Sequence, residues 1–404
     1  MKSCHALATG AVALLLSGPS LAAPPTATVG NAPALRILIN PGDASEQSRF
    51  AVYSAWRAAI EQALRKDVPA LQVAMSMDAT ADLGATRAGL HEIFVGPAHV
   101  IGSAVRYGYR PVVGLDKPVQ AVLVAPKDSA MASLADTRGK RLGLPLQDSV
   151  VTYLVRGEVN AANTTIKRHF ASVYDTRYQD ALLPCLKVLR CDVVAVERSV
   201  FERWVAAGEP VKAIMESKPV PGLSVAIKDG AKPGAVALHA ALADSAPFAQ
   251  LLRAESSQPV AQKADDFKYV ATLGYFTPRS LPGATVVDAP TVAQLLQSGA
   301  TYVDTRTEAE FKSGHVPGAI LVPYQEKSAK DADFDAGLDK FETTKLGANR
   351  DAPLVFACNG PECWKSFKAS QAALKAGYRK VYWFRGGFPE WRNSGLKLET
   401  AAAQ

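Results

Sequence analysis

The chain has 404 residues, 48% of them hydrophobic and 21% charged, with a net charge of +7. That length holds two domains or more, and the composition is globular rather than disordered or fibrous. The positive charge is spread along the chain without a long lysine and arginine run, which argues against nucleic acid as a partner and reads as a solvated basic surface.

Lys2, the apolar stretch 6–16 and the small residues of Ser20-Leu-Ala22 have the pattern of a secretory signal peptide. Residues 1–22 are expected to be that peptide, with cleavage after Ala22, because a cut after Ala23 would leave Pro24 immediately past it. The apolar stretch is too short to cross a bilayer, and no later one reaches about 18 residues, so no membrane span is expected. Cys4 precedes the apolar stretch and is not a lipid-attachment cysteine. The mature protein is expected in an oxidising compartment, most simply a bacterial periplasm. Residues 23–34, rich in Pro, Ala and Thr, read as a flexible leader.

Residues 35–39 alternate as a strand does, 47–64 carry apolar residues at helical spacing, and 71–75 form a second strand. Residues 91–95 make a strand that runs into a Gly96-Pro97 turn. Further strands are expected at 119–125, 141–144 and 192–196, a short helix and turn at 133–140, and helices at 150–160 and 181–189. Strands alternating with helices imply parallel sheets covered on both faces, and the repeat across 35–275 implies two α/β lobes. Thr277-Pro-Arg-Ser-Leu-Pro-Gly283 punctuates the chain, placing a linker at 276–284.

The segment 285–398 carries the sharpest chemical signal. A strand at 353–357 is followed by Cys358-Asn-Gly-Pro-Glu-Cys363-Trp-Lys-Ser366 and a helix at 367–376. A cysteine between a strand end and a helix start sits near free backbone N–H groups, which favour the nucleophilic thiolate. Without Cys4, four cysteines remain as two local pairs, Cys185 with Cys191 and Cys358 with Cys363, each suited to a disulfide. Neither pair has zinc-knuckle spacing or an adjacent histidine, so no metal is expected. A Cys185–Cys191 bond would staple a helix-to-strand turn, at most about 2 to 3 kcal/mol of stabilisation for so small a loop.

Several fragments resemble the periplasmic solute-binding proteins of the phosphate and phosphonate class. Phe94-Val-Gly96-Pro97-Ala98 resembles their "Phe-x-Gly-Pro-Ala" turn. Leu134-Ala-Asp-Thr-Arg-Gly-Lys-Arg-Leu-Gly143 resembles their "Leu-x-Asp-Leu-x-Gly-Lys-x-Val" segment. Asp148-Ser149-Val-Val-Thr152 stands where the family carries hydroxyls at a helix start, and Cys191-Asp-Val-Val-Ala-Val-Glu197 resembles a strand near the second hinge. The resemblance implies a two-lobed, type II periplasmic-binding-protein fold with a ligand site drawn from Gly96, Pro97, His99, Ser149, Thr152 and Glu197, where hydroxyls and helix-start N–H groups hold an anion. The hydroxyl cluster is thinner than the family's, His99 replaces an aromatic, and Glu197 brings a negative charge unwelcome to a phosphonate. Two readings stay open: an anionic or organic solute, or a scaffold that docks a periplasmic partner protein.

Residues 285–398 resemble the rhodanese domain. The matching motifs are Asp304-Thr-Arg306 at a strand end, Gly314-His-Val-Pro-Gly-Ala319, the cysteine loop, and Gly386-Gly387 followed by Trp391. The resemblance implies a small α/β domain with a mostly parallel sheet, and sulfur transfer through a Cys358 persulfide from a small-molecule donor to an acceptor. Asn359, Gly360, Pro361, Glu362, Trp364 and Ser366 would form the oxyanion-holding loop, with Lys365 as a rim charge. His315 is read as fixing its turn, and Asp304 with Arg306 as an ion pair at the sheet edge. The loop lacks the family's arginine, which disfavours phosphatase or arsenate-reductase chemistry. Cys363 makes a second role conceivable, resolving a persulfide or acting with Cys358 as a dithiol. Similar cysteine–cysteine–tryptophan loops accompany quinoprotein alcohol dehydrogenase systems, which gives the alternative of a periplasmic accessory protein. No cofactor is implied.

Overall fold

The structure, a computed structural model, describes residues 34–76 and 78–400. The expected signal peptide and residues 23–33 of the expected leader lie outside the described residues. Strands β1 (Leu35–Ile39), β2 (Leu71–Met75), β3 (Ile93–Gly96) and β4 (Tyr109–Leu115) begin the first lobe. The second lobe follows as β5 (Ala121–Pro126), β6 (Arg141–Pro145), β7 (Ser172–Thr176), β8 (Val193–Glu197) and β9 (Val211–Glu216). The chain then returns to the first sheet with β10 (Ser224–Lys228) and β11 (Pro259–Ala261). The sheet orders are β11-β4-β10-β3-β1-β2 and β7-β6-β8-β5-β9.

The alternation read in residues 35–39 has a direct structural counterpart. Ile37 and Ile39 enter one apolar layer with Trp56 and Ile60 of the helix Glu46–Leu64, while Leu38 enters the opposite layer. Successive strand side chains face opposite sides, and helices cover both.

The two lobe sheets are mixed, not purely parallel as the strand–helix alternation predicts. β10 runs antiparallel to β3 and β4, and β5 runs antiparallel to β8 and β9. Both strands follow a passage between lobes instead of a crossover helix, so the constraint that makes consecutive strands parallel does not act on them. The two passages lie side by side: Val119 and Val220 exchange backbone hydrogen bonds of 2.8 and 2.9 Å, and these pin the hinge.

The C-terminal domain is built on β12 (Thr285–Val286), β13 (Thr301–Asp304), β14 (Ile320–Leu321), β15 (Leu354–Ala357) and β16 (Val381–Phe384). Its order is β12-β16-β15-β13-β14 and every pairing is parallel. Separate apolar clusters lie on its two faces. A third, formed by Leu281, Trp364, Phe367 and Trp383, packs part of the expected linker against this domain. Among the described residues no single helix is long and apolar enough to cross a membrane.

Candidate functional site: a covered cysteine loop and a three-sided cleft

β15 ends at Ala357, and Cys358 follows at the C-terminal edge of the parallel sheet, where open α/β folds place ligands. Gly360 turns the loop with φ +87°, and Cys363 is the N-cap of the helix Trp364–Lys375. Phe388 N–H donates to Cys358 O at 2.8 Å, and a side chain on Gly387 would collide with that carbonyl, which explains the second glycine of the pair read in the sequence. The loop therefore sits at the expected strand-to-helix junction.

Its exposure differs from expectation. Cys358 is 1% exposed and Cys363 8%, with their sulfurs at bonding distance and Cα atoms 6.1 Å apart. An ionised, open thiolate does not describe this state. The cover comes from the first lobe and the segment that leaves it. Thr277 donates to Pro361 O through both N–H and Oγ1, each at 2.8 Å. Trp364 Nε1 donates to Tyr275 O at 2.8 Å. Arg385 donates to the carbonyls of Thr277 and Pro278 at 2.9 Å. Gly360 packs close to the hydroxyl of Tyr107, whose ionisation burial pushes up to about 12.

Glu362 is buried, 4.0 Å from Arg87 on one side and Arg106 on the other. Arg87 Nε and Glu362 Oε2 have no hydrogen-bond partner, so charge holds them together without good directional bonds. Asn359 donates to Glu310 Oε1 at 2.6 Å, and Ser366 Oγ accepts from Trp383 Nε1 at 3.1 Å. Both therefore order the loop from within its own domain.

Lys365 is half-buried and makes no ion pair among the described residues. The cation that matters structurally is Lys368, fully buried, with Nζ 2.8 Å from Ser328 Oγ and 2.7 Å from Glu326. It follows Trp364 by four residues and so falls on the same, inward helix face; that spacing was the available signal. His315 stacks on Phe311 at 3.8 Å and bonds Phe311 O through Nδ1 at 2.9 Å, holding its turn. Arg306 and Asp304 form a buried ion pair at 2.7 Å.

Between the lobes lies a cavity of about 500 Å3. Of the residues singled out in the sequence, Pro97, His99 and Ser149 line it, whereas Gly96, Thr152 and Glu197 do not. Thr152 turns its hydroxyl inward, donating to the carbonyls of Pro145 and Leu146 at 3.0 Å. Ser149 Oγ caps the helix Val150–Ala161. Glu197 lies behind the cavity. Gln179 Nε2 bridges it at 3.0 Å to Asp43 at 2.7 Å, and burial with the Asp43 charge pushes its carboxyl up to about 7.

His99 Nε2 lies 2.8 Å from Asp148 O, so that nitrogen carries the proton; Nδ1 has no partner, and burial pulls the imidazole down to about 4. Asp148, although named in a motif, was not singled out, yet it is the centre of the site. Burial raises its pKa, but the Lys330 ammonium and the Thr80 hydroxyl together overcome that and hold it below the ordinary range. Lys330 Nζ reaches both Asp148 oxygens at 2.7 and 2.6 Å. Lys330, Glu326, Lys327 and Ser328 belong to the C-terminal domain and form one wall of the cavity. This third wall had no signal in the sequence, because nothing local ties residues 326–330 to residue 148. Cys185 and Cys191 stand at bonding distance across their helix-to-strand turn, Cα atoms 5.3 Å apart.

Residues 42–268 match the ABC transporter phosphonate periplasmic substrate-binding protein family, and residues 288–394 match the rhodanese-like domain. Thiosulfate sulfurtransferase 16 of Arabidopsis thaliana is 34% identical over 102 residues, 25% of this chain and 82% of that protein. Human thiosulfate:glutathione sulfurtransferase is 33% identical over 116 residues, 28% of this chain and 96% of that protein. Among solved structures, Prochlorococcus marinus PhnD1 in complex with methylphosphonate aligns with 59% of this chain and 96% of its own, at 13% identity and a TM-score of 0.49. The binding component of a Pseudomonas aeruginosa ABC phosphonate transporter aligns with 60% and 85%, at 17% identity and a TM-score of 0.47.

Proposed function

The chain belongs to the phosphonate-type periplasmic substrate-binding protein family over residues 42–268 and carries a rhodanese-like domain over 288–394, and from that premise we propose that it is a periplasmic sulfurtransferase whose cysteine loop is governed by a solute-binding domain. The observation that supports this most is the place of Cys358: the residue directly after the central parallel strand, at the start of the loop that leads into a helix, within a domain matched by sulfurtransferases over most of their length. The Cys358 thiolate attacks the outer sulfur of a donor such as thiosulfate; the donor's S–S bond breaks, sulfite leaves with the electron pair, and the cysteine becomes a persulfide. An acceptor nucleophile then takes the outer sulfur and the thiolate returns. Loop amides and the helix start stabilise the anions.

Two conditions follow from the loop's surroundings. The Cys358–Cys363 pair must be reduced, and the loop must leave its cover on the first lobe, because Cys358 is 1% exposed. Signal-peptide cleavage after Ala22 and the division into a solute-binding domain (35–275), a linker (276–284) and a rhodanese-like domain (285–398) belong to the same proposal. The matched relatives do not favour the quinoprotein-accessory alternative. Thiocyanate formation from thiosulfate and cyanide, measured after reduction, tests the proposal: the parent should turn over and Cys358→Ser should not. Activity surviving Cys358→Ser refutes it.

A further inference from the structure

Every hydroxyl placed to greet an anion in the cleft is already committed. Of the hydroxyls that line it, Thr80 donates to Asp148, Ser76 to Asp82 at 2.7 Å, Ser328 to Asp339 at 2.6 Å, and Ser149 to Asp43. The carboxylates of Asp43, Asp78, Asp148 and Glu326 line the same cavity and are matched in number by its lysines and arginines, a lining that suits a ligand with charges of both signs better than a phosphonate dianion alone. Among the described residues the ion pair that Asp148 makes is with an ammonium, that of Lys330, whose side chain is 8% exposed. It arrives on an irregular segment between β14 and β15 that reaches in from another domain. Arg49 also lines the cavity; it is 9% exposed and its Nε has no hydrogen-bond partner, although Nη2 bonds Ser76 O. The cavity thus presents a carboxylate that holds an ammonium and a buried guanidinium with an unused donor.

We propose that the cleft binds a small zwitterion, its ammonium on Asp148 and its acidic end toward Arg49, and that Lys330 of the C-terminal domain occupies the ammonium position until such a solute displaces it. This rests on the reading of the cleft as a solute site. A buried ammonium–carboxylate pair is replaceable by another of the same geometry at little net cost, whereas loss of the ammonium alone leaves Asp148 buried and unpaired. Solute and Lys330 therefore compete for one carboxylate, and solute binding withdraws the 326–330 wall.

The test is calorimetric titration and thermal shift on the full chain with 4-aminobutyrate, glycine and L-alanine as zwitterionic probes and methylphosphonate as the anionic one. At least one zwitterion is expected to bind saturably, tenfold or more tightly to Lys330→Ala than to the parent, and not to Asp148→Asn. Should Asp148→Asn not fold, the Lys330→Ala comparison decides alone. Methylphosphonate binding while the zwitterions fail overturns the zwitterion assignment and leaves the solute site standing. Zwitterion binding unchanged by Lys330→Ala overturns the competition. Silence of all four probes against both parent and Lys330→Ala overturns the proposal together with the solute reading beneath it.

Discussion

Glu362→Gln is expected to loosen the cover over the cysteine loop. The substitution keeps the side chain's shape and removes its charge from between Arg87 and Arg106, each 4.0 Å away. At an effective dielectric of about 20, one such pair is worth about 4 kcal/mol. The Arg87 partner deserves most of that figure, since both side chains are 6% exposed; Arg106, at 34%, is screened. Neutralising Glu362 leaves Arg87 buried without its counter-charge in the docked state, a loss of about 3 kcal/mol or more. Undocking returns Arg87 to water, so the loss falls on docking and raises the open fraction about a hundredfold. If reductant reaches Cys358–Cys363 only in the open form, the rate of disulfide reduction by dithiothreitol, followed by mass spectrometry, rises by the same factor. Arg87→Met with Glu362→Leu should restore the slow rate, because an apolar pair needs no counter-charge. A reduction rate in Glu362→Gln equal to the parent's, with intact fold, refutes the view that this ion cluster holds the loop shut.

Cys363→Ser should retain sulfur transfer and no longer require prior reduction, read as thiocyanate formation with and without dithiothreitol; inactivity of folded Cys363→Ser would make it a required participant. Glu197→Gln should stabilise at pH 8 by at most about 3 kcal/mol and little at pH 5: the folded pKa is raised from 4.5 to about 7, so the parent loses stability as pH climbs through that window. Parallel melting curves of the two proteins across pH 5 to 8 would contradict this. Lys368→Met removes the buried partner of Glu326 and Ser328 and should lower stability by about 3 kcal/mol, visible as a drop in denaturation midpoint. Leu281→Ala, at 3% exposure against Trp364, Phe367 and Trp383, should cost about 2 to 5 kcal/mol by the same measurement.

Local elements were legible where one face is strongly apolar and the ends are marked. The strands at 35–39 and 71–75 match the reading residue for residue. The helix after the cysteines begins three residues earlier than read, at Trp364, because Cys363 serves as N-cap without a capping side-chain bond to announce it. Strand direction was not legible, since β10 pairs with β3 from about 130 residues away in sequence. The position of Cys358 could be read, but its burial could not: the covering groups come from residues 87, 106–107 and 275–278. The hydroxyl pattern at 149–152 pointed to the correct helix start and misassigned its ligands. Thr152 satisfies two carbonyls behind the helix, and the neighbouring Asp148 faces the cavity.

Because the second lobe is spliced into the first between Leu115 and Ser224, the C-terminal domain grows out of the first lobe. Its grips on Arg87, Arg106 and Thr277 all belong to that side. Among the described residues its hydrogen bonds and ion pairs to the second lobe run through one arm: Lys330 to Gln147 and Asp148, with Asp333 4.0 Å from Lys167. A clamshell that opens about Val119 and Val220 therefore stretches this arm while the sulfur-bearing body travels with its base. The arm works as a strut across the jaws, and cutting the peptide chain within it would remove that link while leaving the domain seated.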